Sequence, residues 1–204
     1  MSNNALNGTE LFDNAPLPVR LISRAIMGDD PAHGWPHILR VFRYSRIIAN
    51  MVEERMDWLT LETAILLHDV GRFLKGEEHH AAKSAEFARE LLPQIGYRGD
   101  VEAVVHAILA HSFSLGVKAE TLEAMILSDA DKLDALGAIG IARVFHTGCQ
   151  FGRSFEESLE HFVEKIIKLP DLMYLDVSRK LAEEKVKIIK NYINELREEL
   201  AIHG

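Results

Sequence analysis

The stretch AILLHDVGRF, residues 64–73, carries four apolar or small residues straight into an adjacent histidine and aspartate, His68 and Asp69. A helix that buries Ile65 and Leu66 gains nothing from that polar pair. A carboxylate drawn into the interior costs free energy unless a cation or several donors compensate it. The doublet therefore calls for partners elsewhere in the chain, and for a fold that delivers them.

Outward from the doublet the pattern is helical. PHILRVFRYSRIIANMVEE opens with Pro36 at a helix start and sets Ile38, Val41, Ile48 and Val52 on one stripe. LETAILLHDVGRFL takes Thr60 as its expected cap and weakens at Gly71 and Gly76. AAKSAEFARELL is closed by Pro93 and Gly96, and Asp100 caps VEAVVHAILAH. TLEAMILSDADKLDALGAIGIARVF reads as one longer helix, with Gly137 and Gly140 at a close helix contact. Two amphipathic segments follow, 155–169 and 172–202, parted by Pro170. No segment alternates like a strand, so the expected fold class is all-α, a helical bundle. The first fifteen or so residues are expected to be loosely ordered, and 29–34 to form a turn.

Bulk properties narrow the function. With 204 residues, 48% hydrophobic and 26% charged, the chain can bury a real core as one domain, 1–204. The net charge of −8 argues against polymeric nucleic acid as a partner, since a basic face supplies most of that binding. A small anionic substrate stays compatible, because a local cation cluster or a metal can reverse the sign inside one cleft. Cys149 is the only cysteine, the first residues lack a signal-peptide core, and no run reaches the ~18 apolar residues of a membrane span. A cytoplasmic location without membrane contact is the expectation. The last segment sets Leu181, Ile188, Tyr192 and Leu196 on a stripe that packs on its own domain, with a homodimer interface as the alternative.

Three helices each bring a polar residue to an apolar face. His37 shares a line with Val41, Tyr44 and Ile48, and His68-Asp69 ends the central run. Asp131 falls among Ala124, Leu127, Ala135 and Ala138, while Asp129 falls equally well among Met125, Ile126, Leu133 and Leu136. Periodicity does not choose between the two aspartates. Imidazoles and carboxylates without thiolates suit a divalent ion: Mn, Fe, Zn, Co or Ni, with Mg where carboxylates dominate.

HILRV, LLHDVGR and DADKLDALGAIGIARVF, in this order, resemble the HD superfamily of metal-dependent phosphohydrolases, over roughly residues 29–145, with helices 155–202 packed outside the motif set. The resemblance is to the small bacterial and archaeal branch. It implies a metal held by His37, His68, Asp69 and Asp131, choosing Asp131 over Asp129 because the motif aspartate precedes "KL"; Asp129 becomes a nearby partner. His68, Asp69 and Arg72 are the implied catalytic group. His80, His106 and His111 are candidates for a second metal or a substrate contact. His106 and His111 stand about 140° apart on a straight helix, so they do not both face one ion.

Cations near the motifs, Arg72, Lys75, Lys132 and Arg143, are the candidate substrate-binding residues. The implied reaction is hydrolysis of a phosphomonoester or phosphoanhydride, of a nucleotide by branch resemblance, as pyrophosphohydrolase or nucleotidase, through a water activated by one or two divalent ions. Two alternatives stand beside it: a di-iron oxygenase of the same fold, and a non-catalytic nucleotide-binding module. The GYP element of the cyclic-dinucleotide branch is absent.

Overall fold

The computed structural model describes residues 8–201, and these form helices without a strand. In chain order the α-helices are α1 (Leu17–Met27), α2 (Trp35–Ala49), α3 (Trp58–Leu67), α4 (His80–Gln94), α5 (Val101–His111), α6 (Leu122–Asp134), α7 (Gly137–Gln150), α8 (Phe155–Glu164) and α9 (Asp176–Ala201). Short 3-10 segments occupy Val70–Arg72, Phe113–Leu115 and, unusually long, Ile166–Leu172. No helix among the described residues is long and apolar enough to cross a membrane.

The opening stretch is the axis of the bundle. Every residue of α3 from Thr60 to Leu67 is buried, so this helix is covered on all sides and needs no polar face. Helices α1, α2, α5 and α6 pack around it, with α2 against α6 and α4 against α5. Helix α9 lies on α7, α6 and the 3-10 segment 166–172, burying Ser178, Ala182, Val186, Ile189 and Ile193. That stripe sits beside the expected one: Ile188 is exposed, and Leu181, Tyr192 and Leu196 flank the buried row.

Several local expectations are corrected. Asp57 caps α3, its carboxylate accepting from the amide of Leu59, while Thr60 donates its hydroxyl to the same carboxylate. The helix stops at Leu67, and Gly71 follows in a tight turn because α4 crosses it: a Cβ there would lie 2.1 Å from the carbonyl oxygen of His80. The long downstream helix is broken into α6 and α7 at Gly137, whose φ of +70° favours glycine. Residues 8–16 are held rather than loose: Phe12 is fully buried, and Asn14 and Ala15 donate their amides to the buried carboxylate of Glu62. The rest of that expectation falls on residues 1–7, outside the described residues.

Candidate metal centre

Two helices end in the same device. At the close of α3, His68 turns Nδ1 back onto the carbonyl of Ile65 at 2.8 Å, and at the close of α5 His111 does so onto Ile108. Carbonyls in a last helical turn lack an intrahelical donor, so the imidazole satisfies them. A carbonyl only accepts; both Nδ1 atoms therefore carry the proton, and both Nε2 atoms present lone pairs. His37, on α2, donates Nδ1 to Asp134 Oδ2 at 2.7 Å, which leaves its Nε2 facing inward too. His80, the first residue of α4, accepts at Nε2 from Arg72 at 3.1 Å.

All four Nε2 atoms converge on Asp69. Its Oδ2 lies 3.7 Å from His37 and 3.9 Å from His68; its Oδ1 lies 3.4 Å from His80 and 3.8 Å from His111. The Nε2 atoms of His37 and His68 face one another at 3.2 Å. Asp69 Oδ1 is buried and has no hydrogen-bond donor. Opposed lone pairs around an orphaned carboxylate oxygen are repulsive unless positive charge sits between them, supplied by a metal ion or, in its absence, by a proton on His37 Nε2. The donor set therefore fits a divalent metal. Two trios share Asp69, namely His37 with His68 and His80 with His111, each with donor atoms within 4.8 Å of one another.

The titration behaviour follows from this geometry. Burial lowers His68 to about 4 and His80 to about 3, so both are neutral near pH 7. Burial also opposes charge on His37, but hydrogen bonds to Asp131 and Asp134 outweigh it and raise its pKa. Asp69 is buried as well, yet His68 and Arg72 hold its pKa well below the usual carboxylate range. Its carboxylate is ionised wherever a metal is to bind.

The sequence motifs acquire physical meaning here. His37 and Arg40 lie three apart on α2, and Asp131 and Asp134 lie three apart on α6, so each pair shares a face. Arg40 grips Asp134 with Nε at 2.6 Å and Nη2 at 3.0 Å, and Arg143 adds Nη1 at 2.6 Å. Nothing in the periodicity of α6 singles out Asp134, yet it fixes the tautomer of His37, the usual task of a carboxylate behind a metal-binding histidine. The available signal was the third aspartate of DADKLD. Asp131 is half-buried and reaches His37 Nε2 with Oδ1 at 3.4 Å, at the edge of the first trio.

The remaining candidates divide. Asp129 points away from the centre; its carboxylate accepts from the amides of Tyr174 and Leu175, each at 2.9 Å, so it is no partner of the ligands. His106 also faces outward and accepts from the amide of Glu120, which removes it from the cluster. Lys75 is exposed on the turn before α4, beside a separate depression with Glu78 and Glu86. Arg72 donates Nε to Asp69 Oδ2 at 2.6 Å. It lies in the 3-10 turn that follows α3 and reaches Asp69 across the three-residue step. Lys132 is buried, its amine on Ser128 and over the Tyr174 ring.

A cavity of about 740 Å³ opens against the centre, within the size range of small-ligand sites. Arg72, His80, His111 and Asp131 form its inner end, and Lys132 and Arg143 lie along it. Its far wall comes from α8 and the segment 166–172.

Residues 34–136 match the HD domain family. The chain belongs to the HD superfamily of phosphohydrolases. YpgQ of Bacillus subtilis is 28% identical over 191 residues, 89% of this chain and 92% of YpgQ. The crystal structure of YpgQ in complex with ADP aligns with a TM-score of 0.70, covering 94% of this chain and 96% of that one. An HD-superfamily hydrolase of Bacillus thuringiensis is 30% identical with a TM-score of 0.66, over 90% and 95% of the two chains. Ribonuclease Y of Borreliella afzelii is 31% identical across 60% of this chain but only 20% of its own length.

HD domains bind divalent metals, and in this HD hydrolase the doublet supplies the shared carboxylate of both trios. The family match ends at residue 136. Arg143 and the far wall of the cavity therefore lie beyond it.

Proposed function

We propose that this HD hydrolase cleaves a phosphate ester or anhydride of a nucleotide, with one or two divalent ions held by His37, His68, Asp69 and Asp131 and by Asp69, His80 and His111. The observation that carries the reading is Asp69, ringed by four imidazole Nε2 atoms, of which those of His80 and His111 belong to residues lining a cavity edged with cations. A bound divalent ion there supplies Lewis acidity and lowers the pKa of water.

The chain's own groups do the rest. Arg72 fixes Asp69 and faces the cavity, where its guanidinium can meet a phosphate oxygen. Arg143, tied to Asp134, and Lys132 add positive potential along the path, so an anion is drawn inward despite the net charge of −8. In the reaction a water oxygen bonds to phosphorus, and the bond to the leaving oxygen breaks with its electron pair. The complex of YpgQ with ADP supports a nucleotide as the ligand class.

Purified protein loaded with Mn or Mg should release phosphate or pyrophosphate from members of a panel of ATP, dATP, AMP and an aryl phosphate. A single-stranded RNA oligonucleotide belongs in the panel because of the partial likeness to ribonuclease Y. The acidic chain predicts no cleavage of it. No metal-stimulated release from any small phosphate would overturn the reading.

A further inference from the structure

The segment Ile166–Leu172 is a seven-residue 3-10 helix, about twice the usual length of such runs. In this helix, side chains three apart eclipse one another. Two columns result. Lys168 shares a column with Asp171, and Ile166 with Leu169 and Leu172; Lys165, with φ of −124°, stands immediately before the segment, one turn ahead of Lys168. All six residues line the cavity. The amide of Lys168 donates to the carbonyl of Lys165 at 3.2 Å, closing one turn between the two lysines.

Both lysines are exposed, so each amine is hydrated and mobile on its flexible stem. Among the described residues neither amine has a carboxylate within 4.0 Å, although Glu164 and Asp171 share the wall. The other cavity cations are engaged: Arg72 with Asp69, Arg143 with Asp134, and Lys132 with Ser128. The segment is also fixed in place. Ile166, Pro170 and Met173 are buried, and Asp129 clamps the amides of Tyr174 and Leu175 just beyond it. Helix α6 thus directs Asp131 toward the metal centre and Asp129 toward the far wall, tying the two ends of the cavity to one rigid element.

We propose that Lys165 and Lys168 form an anion subsite, at the wall facing the metal centre, that selects nucleotides carrying a phosphate in addition to the one attacked. Lysine suits this task, being a compact charge that takes a phosphate oxygen without demanding one geometry. The apolar column beside it offers the nucleoside a dry surface, and the neighbouring carboxylates confine the anion to the two amines. The inference rests on the phosphohydrolase reading for the identity of the reaction, but its binding test does not need turnover.

The test is the double variant Lys165→Met/Lys168→Met, which keeps the apolar stems and removes both charges. Folding is checked by far-UV circular dichroism. In chelator, calorimetric titration should show ATP binding weakened about tenfold or more, with AMP affinity changed less than about threefold. In the metal-loaded enzyme the KM for ATP should rise by a similar factor, while kcat, and kcat/KM for 4-nitrophenyl phosphate, stay within about threefold. Unchanged ATP affinity, or an equal loss for ATP and AMP, would overturn the subsite. Failure of the unmodified enzyme to turn over any phosphate would remove the hydrolase reading instead, and the binding comparison would still decide the role of the lysines.

Discussion

Asp69 serves two sets of histidines at once, and its neighbours are arranged so that neither set can relax without a cation. Asp134 stands behind one of them. Its carboxylate takes the Nδ1 proton of His37 and the guanidinium groups of Arg40 and Arg143, with no exposure to water. Asp134→Asn keeps the shape and loses the charge, so His37 is no longer held in one tautomer. Metal affinity should fall about 10- to 100-fold with helix content intact, measured by competition against a chromophoric chelator. Wild-type affinity in that variant would deny Asp134 its role. The sequence shows three aspartates in DADKLD on apolar surroundings, and helical periodicity treats them alike. Only tertiary packing separates them: Asp131 faces the cavity, Asp134 the back of His37, and Asp129 the far wall.

The same residues set the acid stability of the metal-free protein. His68 and His80 fall from the ordinary 6.5 to about 4 and about 3, chiefly through burial. In the unfolded chain they take up protons below pH 6.5, whereas in the folded protein they resist until far lower. Their contribution is complete above pH 6.5 and is lost progressively as the pH falls toward 4 and then 3. His37, raised, has the opposite sign: its contribution is present below 6.5 and is lost as the pH climbs through its folded value. Below pH 6.5 His37 is protonated in both states and its contribution stays constant, so the loss from His68 and His80 is not offset by it, and urea midpoints in chelator should fall from pH 6.5 to 4. A flat or rising midpoint would contradict these environments.

Among the elements, the turn after α3 decides whether His80 reaches Asp69. Gly71 donates its amide to Ser84 Oγ at 2.9 Å and lets the first turn of α4 pass over its bare Cα. Gly71→Ala would set a methyl 2.1 Å from the carbonyl oxygen of His80, a contact that backbone must move to relieve. Stability should drop by about 1–3 kcal/mol, read as a lower melting temperature, and the second trio should lose metal before the first. Preserved stability and metal content would show that α4 has room to shift. Sequence marked Gly71 as the place where a helix weakens, but not the reason, because the crossing helix lies nine residues downstream. The break at Gly137 was hidden likewise: the apolar pattern runs through it, and only the positive φ reveals the turn.

Across the whole molecule, the division of labour follows the boundary of the family match. The region 34–136 supplies every member of both trios, and its helical class could be read from periodicity because α2, α5 and α6 each carry a clear apolar stripe. The far wall of the cavity, from α8 and the segment 166–172, could not be read that way. Its period of three is neither that of an α-helix nor that of a strand, and an exposed lysine pair looks like ordinary surface until the cavity beside it is known. A metal bound to the folded chain alone also stabilises the whole: at a thousandfold excess over its Kd the gain is about 4 kcal/mol.

That linkage makes metal content the most direct test of the central claim. The unmodified protein and Asp69→Ala should be purified side by side, analysed for transition metals by mass spectrometry, and assayed for phosphate release. The account predicts about one or two ions per chain in the unmodified protein, none in Asp69→Ala, loss of activity with the metal, and unchanged helix content. Full metal load and activity in Asp69→Ala would contradict it.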